Sequence, residues 1–355
     1  MKHLRYLDLS SNYEIKKLPN SICKLQKLET LHFGECSELK KIPKGLSYLI
    51  SLRKLILYTK QKRLPENVIE CLNSLRALRI SNCENLEYLC DDIGRLKALR
   101  TLEINECPSL LLLPCNIIYT SSLENLTFMK CEKLDLRIEM EKNDSHEDLN
   151  NTRIQPRTLF IFKLLNLKEL PQWLLHANTL ESLTILKCPN FITLPEPLQD
   201  LESLKALYIA RCPKLTCLPA DMHNLISLRE LRIAGCPLLI ERCKKDTGED
   251  WPKIAHIPLI WLAGEEIKST TRGSDASVED KLVPCSMLAS AAISHLLSAT
   301  ASPSQKMCSP ELSDRPRRFK FFVRVVKISG FDNNKFCREH EEAEHLAALA
   351  ATSMH

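Results

Sequence analysis

One leucine position recurs at Leu4, Leu28, Leu52, Leu75, Leu99 and Leu123, a step of 24 residues that shortens once to 23. Self-similarity at such a period marks a chain built by stacking one supersecondary unit on the next. The series resumes at Leu180, Leu204 and Leu228. Counting back one period from Leu180 reaches Pro156, which opens an imperfect unit, so the repeat runs for ten units. The step from Leu123 to Pro156 is nine residues too long, and the polar run 139–152 absorbs the excess as an expected surface loop.

Inside a unit the pattern is L-x-x-L-x-L-x-x-C-x-x-L-x-x-L-P, clearest in Leu204, Leu207, Ile209, Cys212, Leu215, Leu218 and Pro219. The x-L-x-L-x core has period two. It predicts a short strand with Leu207 and Ile209 on one side and Ala206, Tyr208 and Ala210 on the other. A single unit has too little apolar surface to fold alone. Stacked units form a parallel sheet and bury each leucine for about 1.5 to 3 kcal/mol. The prolines after the fourth core position, among them Pro19, Pro43 and Pro219, disfavour further strand or helix there, so the side away from the sheet is expected to be irregular.

Of the 16 cysteines, Cys36, Cys83, Cys107, Cys131, Cys188, Cys212 and Cys236 share one repeat position, which Asn12 takes in the first unit. A small buried polar side chain there is expected to bond loop backbone between successive turns. No C-x-x-C pair occurs, so neither a zinc ribbon nor a dithiol redox couple is supported, and buried unpaired thiols favour a reducing compartment. The expected location is the cytoplasm. The opening MKHLRYLDLS lacks the apolar core of a secretory signal, and the apolar stretch 287–302 is too short to span a bilayer. A net charge of +5 spread over 355 residues gives no reason to expect nucleic acid or an anionic membrane as partner.

Catalytic signals fail on inspection. Gly264-Glu-Glu-Ile-Lys268-Ser269-Thr270 ends like a phosphate loop, but Ile267 stands where a glycine must let backbone amides approach the phosphates. His340 and His345 flank an acidic run, yet five residues separate them, about 140° around a helix, so they do not share the face a metal needs. No G-x-S-x-G elbow is present. The expectation is a binding protein, not an enzyme, with no cofactor and no metal.

The closing run from Gly235 to Pro258 (GCPLLIERCKKDTGEDWPKIAHIP), the opening MKHLRYLDLS and the run LPNSICKLQKLETLHFGEC resemble the repeat domain of plant immune receptors. The family is the coiled-coil class of nucleotide-binding, leucine-rich-repeat disease-resistance proteins. The resemblance covers residues 1 to about 260. It implies an α/β solenoid: a leucine-rich-repeat arc with a parallel concave sheet and an irregular convex side. It places the repeat domain at 1–262 with a cap at 236–258, followed by a low-order tail at 263–355 that carries the basic cluster 315–320. It implies a role in defence, with a protein partner: a pathogen effector, a modified host protein or a nucleotide-binding module acting in trans. Neither the coiled coil nor a nucleotide-binding module is present in these residues, so ADP or ATP binding is not carried over. A free-standing cytosolic scaffold of the Ras-group leucine-rich type and a non-functional receptor fragment stay open as alternatives. A ubiquitin-ligase arm would need an F-box, and an extracellular plant receptor would show L-x-G-x-I-P strands.

Strand placement puts Asp8, His32, Ile56, Arg79, Glu103, Thr127, Phe160, Thr184, Tyr208 and Arg232 in one column of the open face. Just before the cysteine lie Lys130, Lys163, Lys187 and Arg211, one cation per turn across four successive units, with Phe160, Phe162 and Tyr208 nearby. These residues, with Arg232, form the candidate site, since aromatic anchors beside positive charge suit an acidic protein surface.

Overall fold

The structure is a computed structural model and describes residues 3–138 and 154–269, apart from Ser11, Tyr13, Glu35 and Ser37. The loop expected at 139–152, the basic cluster 315–320 and the His340–His345 run lie outside the described residues.

Ten repeat units contribute ten strands: β1 (Tyr6–Asp8), β2 (Thr30–His32), β3 (Lys54–Leu57), β4 (Ala77–Ser81), β5 (Thr101–Asn105), β6 (Asn125–Met129), β7 (Thr158–Phe162), β8 (Ser182–Leu186), β9 (Ala206–Ala210) and β10 (Glu230–Ala234). β11 (Leu259–Leu262) and β12 (Glu265–Ser269) extend the sheet to twelve strands in chain order. All neighbours pair in parallel except β12, which turns back against β11. Residues 265–269, assigned on sequence to the low-order tail, are thus part of the sheet. The change of direction needs the turn at Ala263 and Gly264, both with φ above zero, and this lets β12 follow β11 after only two residues. In β12 Lys268 Nζ donates to the Ala255 carbonyl, so the phosphate-loop-like fragment is an edge strand with its lysine engaged.

Register follows the repeat. Leu7, Leu31, Leu55, Leu78, Leu102, Leu126, Leu159, Leu183, Leu207, Leu231 and Ile260 are consecutive partners across eleven strands. All are buried. Because alternate residues face opposite sides, this pairing puts the expected middle column, Asp8 to Arg232, on the other face in unbroken order. The column continues to Trp261.

Opposite the sheet, single 3-10 turns replace an irregular chain, for example at Asn20–Lys24, Lys44–Tyr48, Cys115–Tyr119 and Ala220–Asn224. Each begins at the residue after the repeat proline, contrary to the expectation that proline ends regular structure there. Proline suits the position before a first turn because no amide donor is needed, and extended backbone such as φ −68° and ψ 145° at Pro19 leads into it.

The cysteine position forms a ladder of hydrogen bonds through the core. Cys131 Sγ donates to Met129 O at 3.3 Å in its own turn and to Ile104 O at 3.7 Å in the turn before. Cys107 and Cys212 repeat the arrangement. Asn12 does the same work in the first unit, donating to Leu9 O at 2.7 Å. Hydrogen bonding to Cys188 and burial push the Cys212 thiol up to about 12, and burial pushes Cys243 up to about 12, so these groups are neutral bonding partners and not nucleophiles.

Past β10 the chain closes the end of the core with α2 (Pro237–Arg242) and α3 (Trp251–Ile254); the intervening helix-like turn α1 (Gln172–Leu175) lies earlier, in the seventh unit. The closure is centred on Asp250, which is fully buried. Its carboxylate accepts from Leu218 N at 2.9 Å, Arg242 Nη2 at 3.1 Å and Nε at 3.2 Å, and lies 2.9 Å from Lys253 Nζ.

Candidate protein-interaction face

Each strand of the later units ends in the same way. Asn82, Glu106, Lys130, Lys163, Lys187 and Arg211 have φ between +53° and +59°, and Gly235 has +63°. This left-handed turn lets the amide of the position donate to the last carbonyl of the following strand: Lys163 N to Leu186 O at 2.9 Å, Lys187 N to Ala210 O and Arg211 N to Ala234 O at 2.8 Å. It then drops the next residue, cysteine, into the core. The four cations predicted as a row therefore stand on one repeated backbone corner at the strand ends. Asn82 and Gly235, residue types that tolerate positive φ, were the sequence signal for it.

The row is not uniform. Lys130 pairs with the Glu106 carboxylate one turn earlier. Lys163 is exposed, as is Arg211, whose aliphatic stem lies against the bare Cα of Gly235. Neither has an ion-pair partner among the described residues. The Lys187 ammonium lies 5.2 Å from the centre of the Phe162 ring. Phe160 and Phe162 are 8% and 3% exposed, so the expectation that they stand out as anchors is corrected: they floor the face instead. Alternation along the strand predicted the side but not its depth, because Lys187 from the next turn covers Phe162.

Tyr208 and Arg232 meet in a compact cluster. The Arg232 guanidinium carbon lies 5.4 Å from the Tyr208 ring centre and 5.2 Å from that of Trp261, so two rings sandwich the cation. Glu230 accepts from Arg232 Nε at 2.5 Å and from the Tyr208 hydroxyl at 2.6 Å. Sequence reading missed Glu230 and Trp261. Trp261 falls outside the 24-residue period, although Leu259-Ile-Trp-Leu262 keeps the strand alternation that would have flagged it. Nearer the first unit the column is self-satisfied: Arg79 binds Glu103 with Nη2–Oε2 at 2.6 Å, and His32 Nδ1 lies 3.2 Å from Asp8.

The opposite ends of the strands supply an internal comparison. There the residue before each strand forms a ladder of alternating sign: Glu29 pairs with both Arg5 and Arg53 at 3.5 and 3.6 Å, Arg100 with Glu124 at 3.2 Å, and Glu181 with both Arg157 and Lys205 at 3.8 and 2.9 Å. One margin of the face is largely neutralised within itself. The other, from Lys163 to Arg211, keeps its positive charge for solvent or a partner.

Residues 1–189 match the family model of a leucine-rich repeat region. The match spans more than half of the chain, and the protein belongs to the leucine-rich repeat family. Regions of this kind are in general non-enzymatic scaffolds that bind other proteins. No curated protein matches the chain. Among solved structures it is similar to the leucine-rich repeat domain of the type III effector XopL, with 20% identity and a TM-score of 0.42 over 58% of this chain and 74% of that one. An internalin from Listeria monocytogenes shares 16% identity with a TM-score of 0.40, over 73% and 78% of the two chains. The plant peptide hormone receptor RGFR1, solved in complex with RGF2, shares 21% identity with a TM-score of 0.38; the chain covers 44% of its length.

Proposed function

We propose that this chain is the recognition arm of a plant intracellular immune receptor of the coiled-coil nucleotide-binding type, and that it takes an acidic protein surface on the later half of its sheet face. The immune reading draws on the resemblance of the opening, the repeat and the closing run. The surface reading draws on one observation: Lys163, Lys187 and Arg211 lie on consecutive turns without a counter-charge, while the opposite margin pairs most of its charges. The partner is a pathogen effector, a modified host protein or a nucleotide-binding module in trans, met in the cytoplasm. Cation rows of this kind act on encounter rate and on choice of partner more than on raw affinity.

The test compares the full chain with K163N/K187N/R211N, asparagine being chosen because it accepts the left-handed turn. Both are immobilised and exposed to plant cytosol with and without pathogen challenge. The expected result is an effector, host target or nucleotide-binding module held by the wild type and lost by the variant, with circular dichroism and melting temperature unchanged. Equal recovery by both proteins refutes the surface. Recovery of a kinase or GTPase in place of an immune component replaces the immune reading with the Ras-group scaffold.

A further inference from the structure

The positive margin borders a trough whose dimensions bear on the shape of what fills it. Its floor is the last outward residue of each strand, Leu186, Ala210 and Ala234, which are half-buried and become small towards the end of the sheet. One wall is the middle column with Tyr208 and Arg232. The other is the row of left-handed corners. Tyr208 and Arg211 are three residues apart, about 10 Å along the strand at about 3.3 Å per residue. That width is close to the diameter of an α-helix, about 10 Å with its side chains.

The spacing along the row is equally restrictive. Lys163, Lys187 and Arg211 have φ of +55°, +54° and +56°, so their side chains leave equivalent corners in nearly the same direction on successive turns. Adjacent strands lie about 4.8 Å apart, which places the first and third corners about 9.6 Å apart. On a helix, carboxylates at i, i+3 or i+4, and i+7 span about 10.5 Å. On an extended segment the same three charges, at alternate positions, span about 13 Å. The helix stays in step over three rungs to within about 1 Å, whereas the extended segment is out by more than 3 Å.

Arg232 adds a fixed point at the end of the trough. Two rings and the Glu230 carboxylate hold its guanidinium, and its two Nη nitrogens donate to no described residue. A planar fork already held in place suits one further carboxylate.

We infer that the trough receives an amphipathic helix of a partner protein, laid across the strands, with acidic residues at i, i+3 or i+4, and i+7 against Lys163, Lys187 and Arg211 and an apolar stripe on Leu186, Ala210 and Ala234. The inference rests on the acidic-surface reading and adds to it the secondary structure and charge spacing of the ligand.

The experiment is selection of a displayed library of random 20-residue peptides on the immobilised full chain. Peptides that repeat acidic residues at intervals of three and four beside an apolar stripe are expected to be enriched. Placing proline at the centre of such a peptide should weaken it at least tenfold, as should K163N/K187N/R211N in the protein. R232K, which keeps the charge and loses the fork, should weaken it several-fold. If the enriched peptides carry acids at alternate positions, or tolerate the proline, yet still lose affinity for the triple variant, the helix is refuted and the acidic surface stands. If they bind the triple variant equally well, both fall. Failure of any sequence to enrich also overturns the helix.

Discussion

Replacing Asp250 should unfasten the end of the repeat stack without disturbing its beginning. The carboxylate is fully buried and serves three groups: the Leu218 amide, the Arg242 guanidinium and the Lys253 ammonium. Asp250→Ala leaves the Leu218 N–H buried without an acceptor, which costs about 1 to 3 kcal/mol. It also deprives two cations of their shared anion. Removing one member of a buried ion pair costs about 3 to 5 kcal/mol when the remaining charge has nowhere to turn. Here both cations have a second partner: Arg242 reaches Glu249, and Lys253 donates to Leu218 O at 2.8 Å. The combined loss should therefore sit near the lower end, about 3 kcal/mol, and Asp250→Asn, which keeps an acceptor for Leu218, should lose about 2 kcal/mol.

Global melting is the wrong assay, since a stack of repeats need not unfold in one step. Native-state hydrogen exchange resolves the units. In Asp250→Ala, protection should fall for the amides of Leu218, Leu259 and Ala263, which hold the closure and β11, and stay unchanged at Leu28 and Leu52. The carboxylate also sets a pH response. Burial pushes Asp250 up, but hydrogen bonds from Arg242, Lys253 and Leu218 outweigh it and hold the group below the usual carboxylate range. A depressed value stabilises the fold above the unfolded value of about 3.9, and that contribution fades as pH falls through the lower, folded value. Wild-type protection of these amides should drop below about pH 4, and Asp250→Asn should remove that step. A loss spread evenly over all units, or one under about 0.5 kcal/mol, would refute the view that Asp250 is the fastening of the end.

Two further outcomes test the turn and the core. At Lys163, whose φ is +55°, glycine should change stability by less than about 1 kcal/mol, whereas valine should lower it by about 1 to 2 kcal/mol; urea titration of both variants measures the contrast, and equal behaviour would deny the left-handed corner. Brief treatment of the native chain with a thiol reagent should label the exposed Cys115 first and spare Cys107, Cys131, Cys188 and Cys212 until denaturant is added; peptide mapping that finds these four labelled early would contradict the buried ladder.

The leucine columns were legible because burial repeats with the strand period, and a register error of one residue would turn every Leu7-to-Leu231 position outward. That same logic located the middle column and the cation row by residue. Depth and local backbone were not legible. Whether Phe162 projects or is covered depends on Lys187 in the next turn, a contact 25 residues away that no strand pattern encodes. The 3-10 turns after Pro19 and its equivalents were missed because proline was read as a stop, when its fixed φ equally suits the residue that precedes a turn.

The left-handed corner bears most directly on function. For any residue with a Cβ this conformation costs about 1 kcal/mol or more, and only glycine, with asparagine to a lesser degree, is relieved of it. Gly235 and Asn82 occupy the position in two units, so the fold accepts the less strained choice. Lysine and arginine gain nothing from this backbone. At Lys130 the side chain recovers part of the cost through Glu106. At Lys163 and Arg211 no ion pair among the described residues does so, and at Lys187 the ring of Phe162 is the compensation in view. Folding alone thus favours glycine or asparagine at three successive corners where the chain carries cations, and the preference that overrides it must come from outside the fold. A negatively charged partner, engaged one turn at a time along that margin, supplies such a preference.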